Sequence, residues 1–491
     1  MKLHTLQTLI GAAIAVLVSQ AQAADIDALT LTGASTPLQT ANYGIRTYSA
    51  PVADSNGHDP ANYRAAPALP QWQFAVADPT GGVLTFERQA APQDGWHTWS
   101  RKGKVLVTGG SAAVANRVYT VYNGQQLVAA INEAGNEPKI IRVIGHIDLR
   151  WKNNNTVFEE YTSYKDQKMG GSIMIPSNTT LVGINSADGK PARITGTSIL
   201  VGNELPLAAG GVPETDFKNW IAAGKDGEDY PTWTRNIIIR NLKIDTPWDV
   251  NPEDSANAYA DGVTMSRAQN VWIDHVTISD GDTPDSLASD TRHDGALDVV
   301  RGSDYVTVAN SVFFKHGKVT LVGNGDSGRA WSDQDRLHVT FYGNWWDSLS
   351  SRLPLARFGQ VHLYNNLITG STASGVSPDL KFGSGLDARY KSMVLAQNHY
   401  YSFVQLKPSE FCGKVIKGSG YNGFRSSGHQ FISTRSDTGA WVGPAIALDG
   451  QCGLTLASGA NAWTPPYAYT LRTPAETLTS VNAGAGAGKL P

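Results

Sequence analysis

At 491 residues the chain would make about three domains of ordinary size, unless one repetitive β architecture takes up the length. Fifty Gly and 24 Pro with only 17% charged residues argue against a coiled coil or helical bundle, and 41% hydrophobic residues with 13 Trp exclude wholesale disorder. The net charge of −3 argues against a nucleic-acid binder working through a basic surface, so a polyanionic ligand would have to be met by a local patch or a bound cation.

The chain opens with Lys2, an apolar run from Leu9 to Val18 and the small-x-small ending Ala21-Gln22-Ala23, the layout of a secretory signal peptide cut after Ala23. The run is short of the roughly 20 residues that span a bilayer, and no later segment supplies them, so a secreted chain with no membrane partner is expected. Residues 24–118 are Pro-, Ala- and Gly-rich, hold Trp72, Trp96 and Trp99, and read as an extension of unassigned fold. Asn123–Gly135 then has the apolar face and glycine stop of a short helix, and Lys139–Leu149 is β-rich.

From there the sequence repeats. Related runs recur at Asn236–Ile244, Asn270–Ile278, Tyr305–Phe313, Leu337–Trp345, Gln360–Ile368 and Ser392–Tyr400. Aligning Asn241, His275, Asn310, Asn344, Asn365 and Asn398 gives spacings of 34, 35, 34, 21 and 33. A coil of three short strands fits 21 residues, and the longer intervals are that coil plus a loop, so residues 119–491 read as one all-β solenoid, a parallel β-helix with long loops on one side. A β-propeller needs four strands per blade, which the 21-residue interval cannot hold. The helix near 125–134 is placed to cap the first coil, and one Asn per coil at the same bend is expected to stack inside as a hydrogen-bonded ladder. In an exported chain, the two cysteines, Cys412 and Cys452, read as one disulfide worth about 4 kcal/mol in the chain-entropy model.

Against this background stand Arg352 and Arg357 around a proline, Lys318 one coil earlier, Asp294 and Asp298 one coil earlier again, and Asp261 before them. Stacked coils bring such residues to one lateral site. On a straight strand Asp294 and Asp298 would stand about 13 Å apart, too far to share an ion, so a common site requires a bend, which Gly295 permits.

Val271–Ser279, His293–Asp298, Lys318–Gly323, Arg352–Asn366 and Ile173–Gly183 resemble, in order, the motifs of extracellular pectate lyases of polysaccharide lyase family one, over roughly residues 120–410. The resemblance implies a right-handed parallel β-helix that cleaves α-1,4-linked polygalacturonate by Ca²⁺-dependent β-elimination, acting as a monomer. It implies Arg352 as catalytic base, Lys318 and Arg357 as substrate-binding cations, and Asp294 and Asp298 as calcium ligands. Asp261 is the expected third ligand, with Asp245, Asp249 and Asp254 as nearby alternatives. Asp274 and His275 read as structural, Asp274 bonding neighbouring backbone and His275 standing in the ladder.

Three other readings share parts of this pattern. A polygalacturonase needs paired carboxylates, and the chain has no Asp-Asp dipeptide of that sort. A pectin lyase, acting on methylated polymer, would lack the Asp cluster, and a binding solenoid would need no convergence of Arg, Lys and Asp.

Overall fold

Short Val-, Ile- and aromatic-rich runs gain a buried face by lying in register on the equivalent run one coil away. The computed structural model describes residues 86–490 apart from 134, 153–156, 164–166, 168–170, 187, 203–213, 252–259, 288–290, 435–445 and 449–450. The expected signal peptide and Trp72 lie outside the described residues. Among the described residues the strands form three long sheets of ten, ten and eight strands, parallel except for the final pair of the second sheet.

One coil shows the pattern. Ala268–Asp274 lies in the first sheet, Thr277–Ser279 in the second and, after a long loop, Leu297–Val300 in the third. Val271 stands opposite Ile237 on one side and Val306 on the other, and Val263 opposite Ile199 and Leu297. The inward side chains join into one buried core reaching from Tyr119 to Phe431. This is a parallel β-helix, as the repeat length predicts.

The bend between the first and second sheets requires a left-handed backbone, which Asn and Gly adopt at least cost. Asn241, His275, Asn310, Gly343, Asn365 and Asn398 occupy it, with φ between 47° and 64°. Asn344 is therefore not the equivalent of the others; Gly343 is, and the short coil from Gly343 to Asn365 is 22 residues long. The hydrogen-bonded ladder lies one residue further on. Ser311 N donates to Asn344 Oδ1 (2.9 Å), Asn344 N to Asn366 Oδ1 (2.9 Å), Asn366 N to His399 Nδ1 (3.1 Å) and His399 N to His429 Nδ1 (3.1 Å). His275 belongs to the bend row and not to the ladder, and stands 2.7 Å from Asp274 Oδ1. Asp274 takes side-chain partners rather than backbone, accepting from Asn310 Nδ2 (3.0 Å) and Arg240 Nη2 (3.1 Å).

The predicted cap is the helix Gly124–Asn132, begun by the Asn123 side chain, which accepts from Gln126 N at 2.9 Å. Its buried Leu127, Ala130 and Ile131 close the first coil's end of the core. Residues 95–110 lie across the first sheet: Trp96 N donates to Thr340 Oγ1 (3.0 Å), His97 N to Thr307 Oγ1 (3.2 Å) and Gly110 N to Thr180 Oγ1 (2.8 Å).

At the other end a disulfide joins Cys412 to Cys452. The tail beyond it runs back along the bend row. Asn365 Nδ2 donates to Thr470 O (2.8 Å), Asn398 Nδ2 to Arg472 O (2.8 Å) and, past the helix Pro474–Gly484, Gly488 N donates to Asn241 Oδ1 (2.8 Å) and Asn185 Nδ2 to Leu490 O (2.7 Å).

Candidate active site

Loops returning from the second sheet to the third deliver most of the charged residues singled out in the sequence. Asp294 ends the loop that leaves Ser279, and Asp298 lies on the strand Leu297–Val300, opposite Thr264. Lys318 ends the strand Val312–Lys318. Arg352 follows Trp345–Ser351 at φ 66°, and Arg357 follows Leu355–Ala356.

The required bend is present. Gly295 N donates to Asp261 Oδ1 at 2.7 Å, and Ala296 N points at both Lys318 O (3.2 Å) and Val319 O (2.9 Å), so the chain leaves the regular ladder between Asp294 and Asp298. A side chain on Gly295 would begin 2.7 Å from Asp298 Oδ1 and 3.0 Å from Asp261 Oδ1, which places these two carboxylates around one small space. Lys318 Nζ meets Asp294 Oδ1 at 3.0 Å.

Each acid is held by a neighbouring donor. Thr264 Oγ1 donates to Asp261 Oδ2 (2.7 Å) and Leu321 N to Asp298 Oδ1 (2.8 Å). Asp261 and Asp298 are buried, at 4% and 6% exposure. Burial first, then repulsion by Asp298 and Asp294, raises the Asp261 carboxyl well above the ordinary range. Burial pushes Asp298 up to about 7, against the pull of the Leu321 amide and the Arg352 guanidinium.

Buried like charges of this kind call for a cation. Among the described residues no three acidic, imidazole or thiol groups stand close enough to hold a metal ion as they are placed, although Asp298 and Asp294 both act electrostatically on Asp261. Carboxylate oxygens are the donor type that Ca²⁺ takes, in flexible geometry and together with substrate or water oxygens.

The structure thus brings Asp261, Asp294, Asp298 and Lys318 together, with Arg352 acting on Asp298 from two coils away. Arg357 stands further along the third sheet, its Nε donating to Asp326 Oδ1 (2.8 Å) and its Nη1 to Gly323 O (3.0 Å). Two alternatives to Asp261 are engaged elsewhere: Asp245 accepts from Arg193 Nε (2.7 Å), and Asp249 from Asn251 N (2.8 Å). Asp254 lies outside the described residues.

Sequence reasoning missed the groups beneath the site. Asp280, from the loop after the second sheet, holds the buried His316 and accepts from Thr246 Oγ1 (2.9 Å). Burial would discharge the His316 ring, but Asp280 holds its pKa above the usual value. His316 stands two residues before Lys318 in the sequence, whereas its partner Asp280, 36 residues earlier, has no signature of its own.

A separate cavity of about 630 Å³ lies against the second sheet, lined in part by His146, Trp248 and Arg292. Arg150 and Arg193 in its wall are paired with Asp148 and Asp245, so these guanidinium groups are already neutralised. Asp261, Asp294, Asp298, Lys318, Arg352 and Arg357 do not line it.

The molecule is thus a parallel β-helix whose third sheet carries an acidic cluster flanked by a lysine and an arginine, and comparison with known proteins gives its class. The chain matches the pectate lyase family model over residues 75–205 and 223–490, well beyond the 120–410 marked out by motifs. It is 33% identical over 421 residues to pectate lyase D of Dickeya chrysanthemi, covering 83% of this chain and 92% of that one. To pectate lyase A of the same organism it is 34% identical over 416 residues, covering 82% and 90%. Among solved structures, an arginine-to-lysine variant of the Bacillus subtilis pectate lyase matches with a TM-score of 0.65 at 26% identity, over 83% of this chain and 100% of that one. A pectate lyase bound to a hexasaccharide matches at the same TM-score, identity and coverage. The chain belongs to the pectate lyase family and is a polysaccharide lyase.

Proposed function

We propose that the chain is a secreted pectate lyase that cleaves α-1,4-linked polygalacturonate by Ca²⁺-dependent β-elimination, releasing 4,5-unsaturated oligogalacturonides. The observation that carries this reading is the meeting of Asp261, Asp294 and Asp298 with Lys318 beside Arg352. Residues 119–491 form the catalytic domain and work as a monomer, residues 24–118 are an N-terminal extension that packs on or precedes it, and the leader is cut after Ala23.

The mechanism follows from charge. Taking the carbon-5 proton of a uronate loads negative charge onto a group that is already an anion, so the reaction needs positive charge at the carboxylate. Asp261, Asp294 and Asp298 would hold Ca²⁺, which supplies that charge when bound. Lys318 adds a second positive group, and Arg357 binds a neighbouring uronate. Arg352, in its neutral form, removes the carbon-5 proton; the electron pair forms the carbon-4 to carbon-5 double bond as the bond from carbon 4 to the glycosidic oxygen breaks, and the leaving oxygen takes a proton from water. An arginine base is unusual because the reference pKa of its side chain is above 12.

One experiment tests this. Mature protein is incubated with polygalacturonate and with methylated pectin, with and without chelator, and the ultraviolet absorbance of unsaturated product is followed. Absorbance on polygalacturonate that chelator abolishes is the expected result. Chelator-insensitive absorbance on methylated pectin would mean a pectin lyase, reducing ends without absorbance would mean hydrolysis, and no product would mean a binding solenoid.

A further inference from the structure

We propose that His316 is a positioning residue, a buried clamp that sets Asp294 against Lys318. The inference rests on the reading of Asp294 as a cation ligand and Lys318 as a substrate-binding cation.

His316 is fully buried, and its Nε2 lies 2.8 Å from Asp294 O and 2.9 Å from Lys318 O. A carbonyl oxygen only accepts, so the proton on Nε2 is shared between two backbone carbonyls on successive coils. The other ring nitrogen faces the Asp280 carboxylate, which also accepts from Thr246 Oγ1. Thr246 in turn stands 3.0 Å from His293 Nδ1, and His293 Nε2 lies 2.7 Å from Thr283 O. Segments from three successive loops are thereby pinned to one imidazole.

The clamp sits where the ladder is irregular. Gly295 and Lys318 meet in an isolated bridge, and the amide of Ala296 is divided between Lys318 O and Val319 O. Strand pairing alone therefore does not fix the height of Asp294 relative to Lys318. His316 ties their main chains from inside, while Lys318 Nζ and Asp294 Oδ1 meet at 3.0 Å on the outside. Loss of the inner tie would let both side chains shift together, and an error of about 1 Å at such a site costs about 100-fold in rate.

The test uses two variants of the full-length mature protein. His316→Gln places an amide N–H near the Nε2 position and keeps a donor for the two carbonyls, but cannot reach Asp280. His316→Asn does the reverse. The clamp predicts that His316→Asn loses about 100-fold in kcat on polygalacturonate with KM changed less than about threefold, and that His316→Gln stays within about tenfold of wild type. Both are expected to melt at similar temperatures. Equal loss in the two variants, or loss that follows melting temperature, would overturn the clamp in favour of a purely structural histidine.

A second measurement needs no activity. In ¹⁵N-histidine-labelled wild-type protein, His316 should show a slowly exchanging proton on Nε2, and an unprotonated Nε2 overturns the clamp. A wild type that yields no unsaturated product counts against the proposed function, while the spectrum still decides the clamp.

Discussion

Gly295 donates its amide to Asp261 Oδ1 at 2.7 Å across one coil, and the space above its α-carbon is filled by Asp298 and Asp261 oxygens. The glycine is needed here for room, since its φ is not among the left-handed ones. Gly295→Ala should push the carboxylates apart, costing about 1–3 kcal/mol of stability and at least about tenfold in activity. Melting temperature and kcat, measured at saturating Ca²⁺, check both.

Arg352 is the proposed base. Arg352→Lys keeps a positive charge at the third sheet, but the ammonium sits elsewhere and lacks the planar fork. A fall of about 100- to 10,000-fold in kcat is expected, with KM for polygalacturonate little changed. Wild-type turnover by Arg352→Lys or Arg352→Ala would move the base to another residue.

Asp298, with its carboxyl pushed up to about 7, holds a proton in the folded chain that the unfolded chain, with a carboxylate pKa of about 3.9, has lost. The folded state thus binds more protons between about pH 4 and pH 7, so this group's contribution to stability is full below pH 4 and is lost as pH rises through 7. Asp261, raised well above its usual range, acts in the same direction. Ca²⁺ would relieve this repulsion and must displace the protons to do so. The rise in melting temperature on adding Ca²⁺ should therefore be larger at pH 8 than at pH 5. A rise independent of pH would separate the ion from these carboxylates.

Asn365 does two things at its bend. Its φ of 53° is left-handed, and its side chain donates to Thr470 O (2.8 Å) and accepts from Arg472 N (3.0 Å). Asn365→Gly keeps the bend and loses the tail, whereas Asn365→Ala loses both. Chemical denaturation should show Asn365→Gly destabilised by about 1–3 kcal/mol and Asn365→Ala by about 1 kcal/mol more.

The β-helix was legible because its coil length and its Asn-containing bends recur in the sequence. The register of those bends was not fully legible. Tyr364-Asn365-Asn366 carries both the bend residue and the ladder residue, whereas Tyr342-Gly343-Asn344 spends a glycine on the bend, and aligning asparagines alone slips that coil by one. Side chains in the ladder are Ser311, Asn344, Asn366, His399 and His429, five positions of mixed type that share hydrogen-bonding ability and no single letter. At the site, the charged residues stood out against an apolar repeat. Asp280 did not, because its use depends on a histidine 36 residues away.

A solenoid whose coils touch only their neighbours can fray from either end, one coil at a time. The tail from Thr470 to Leu490 bonds Asn365 and Asn398 near the last coils, then Asn241 and Asn185 near the first. It adds to a nearest-neighbour stack a strap that ties coils near the two ends to one segment. Such a strap should sharpen the unfolding transition, and removing the chain from Thr470 onward should leave a molecule that melts more gradually, from its ends inward.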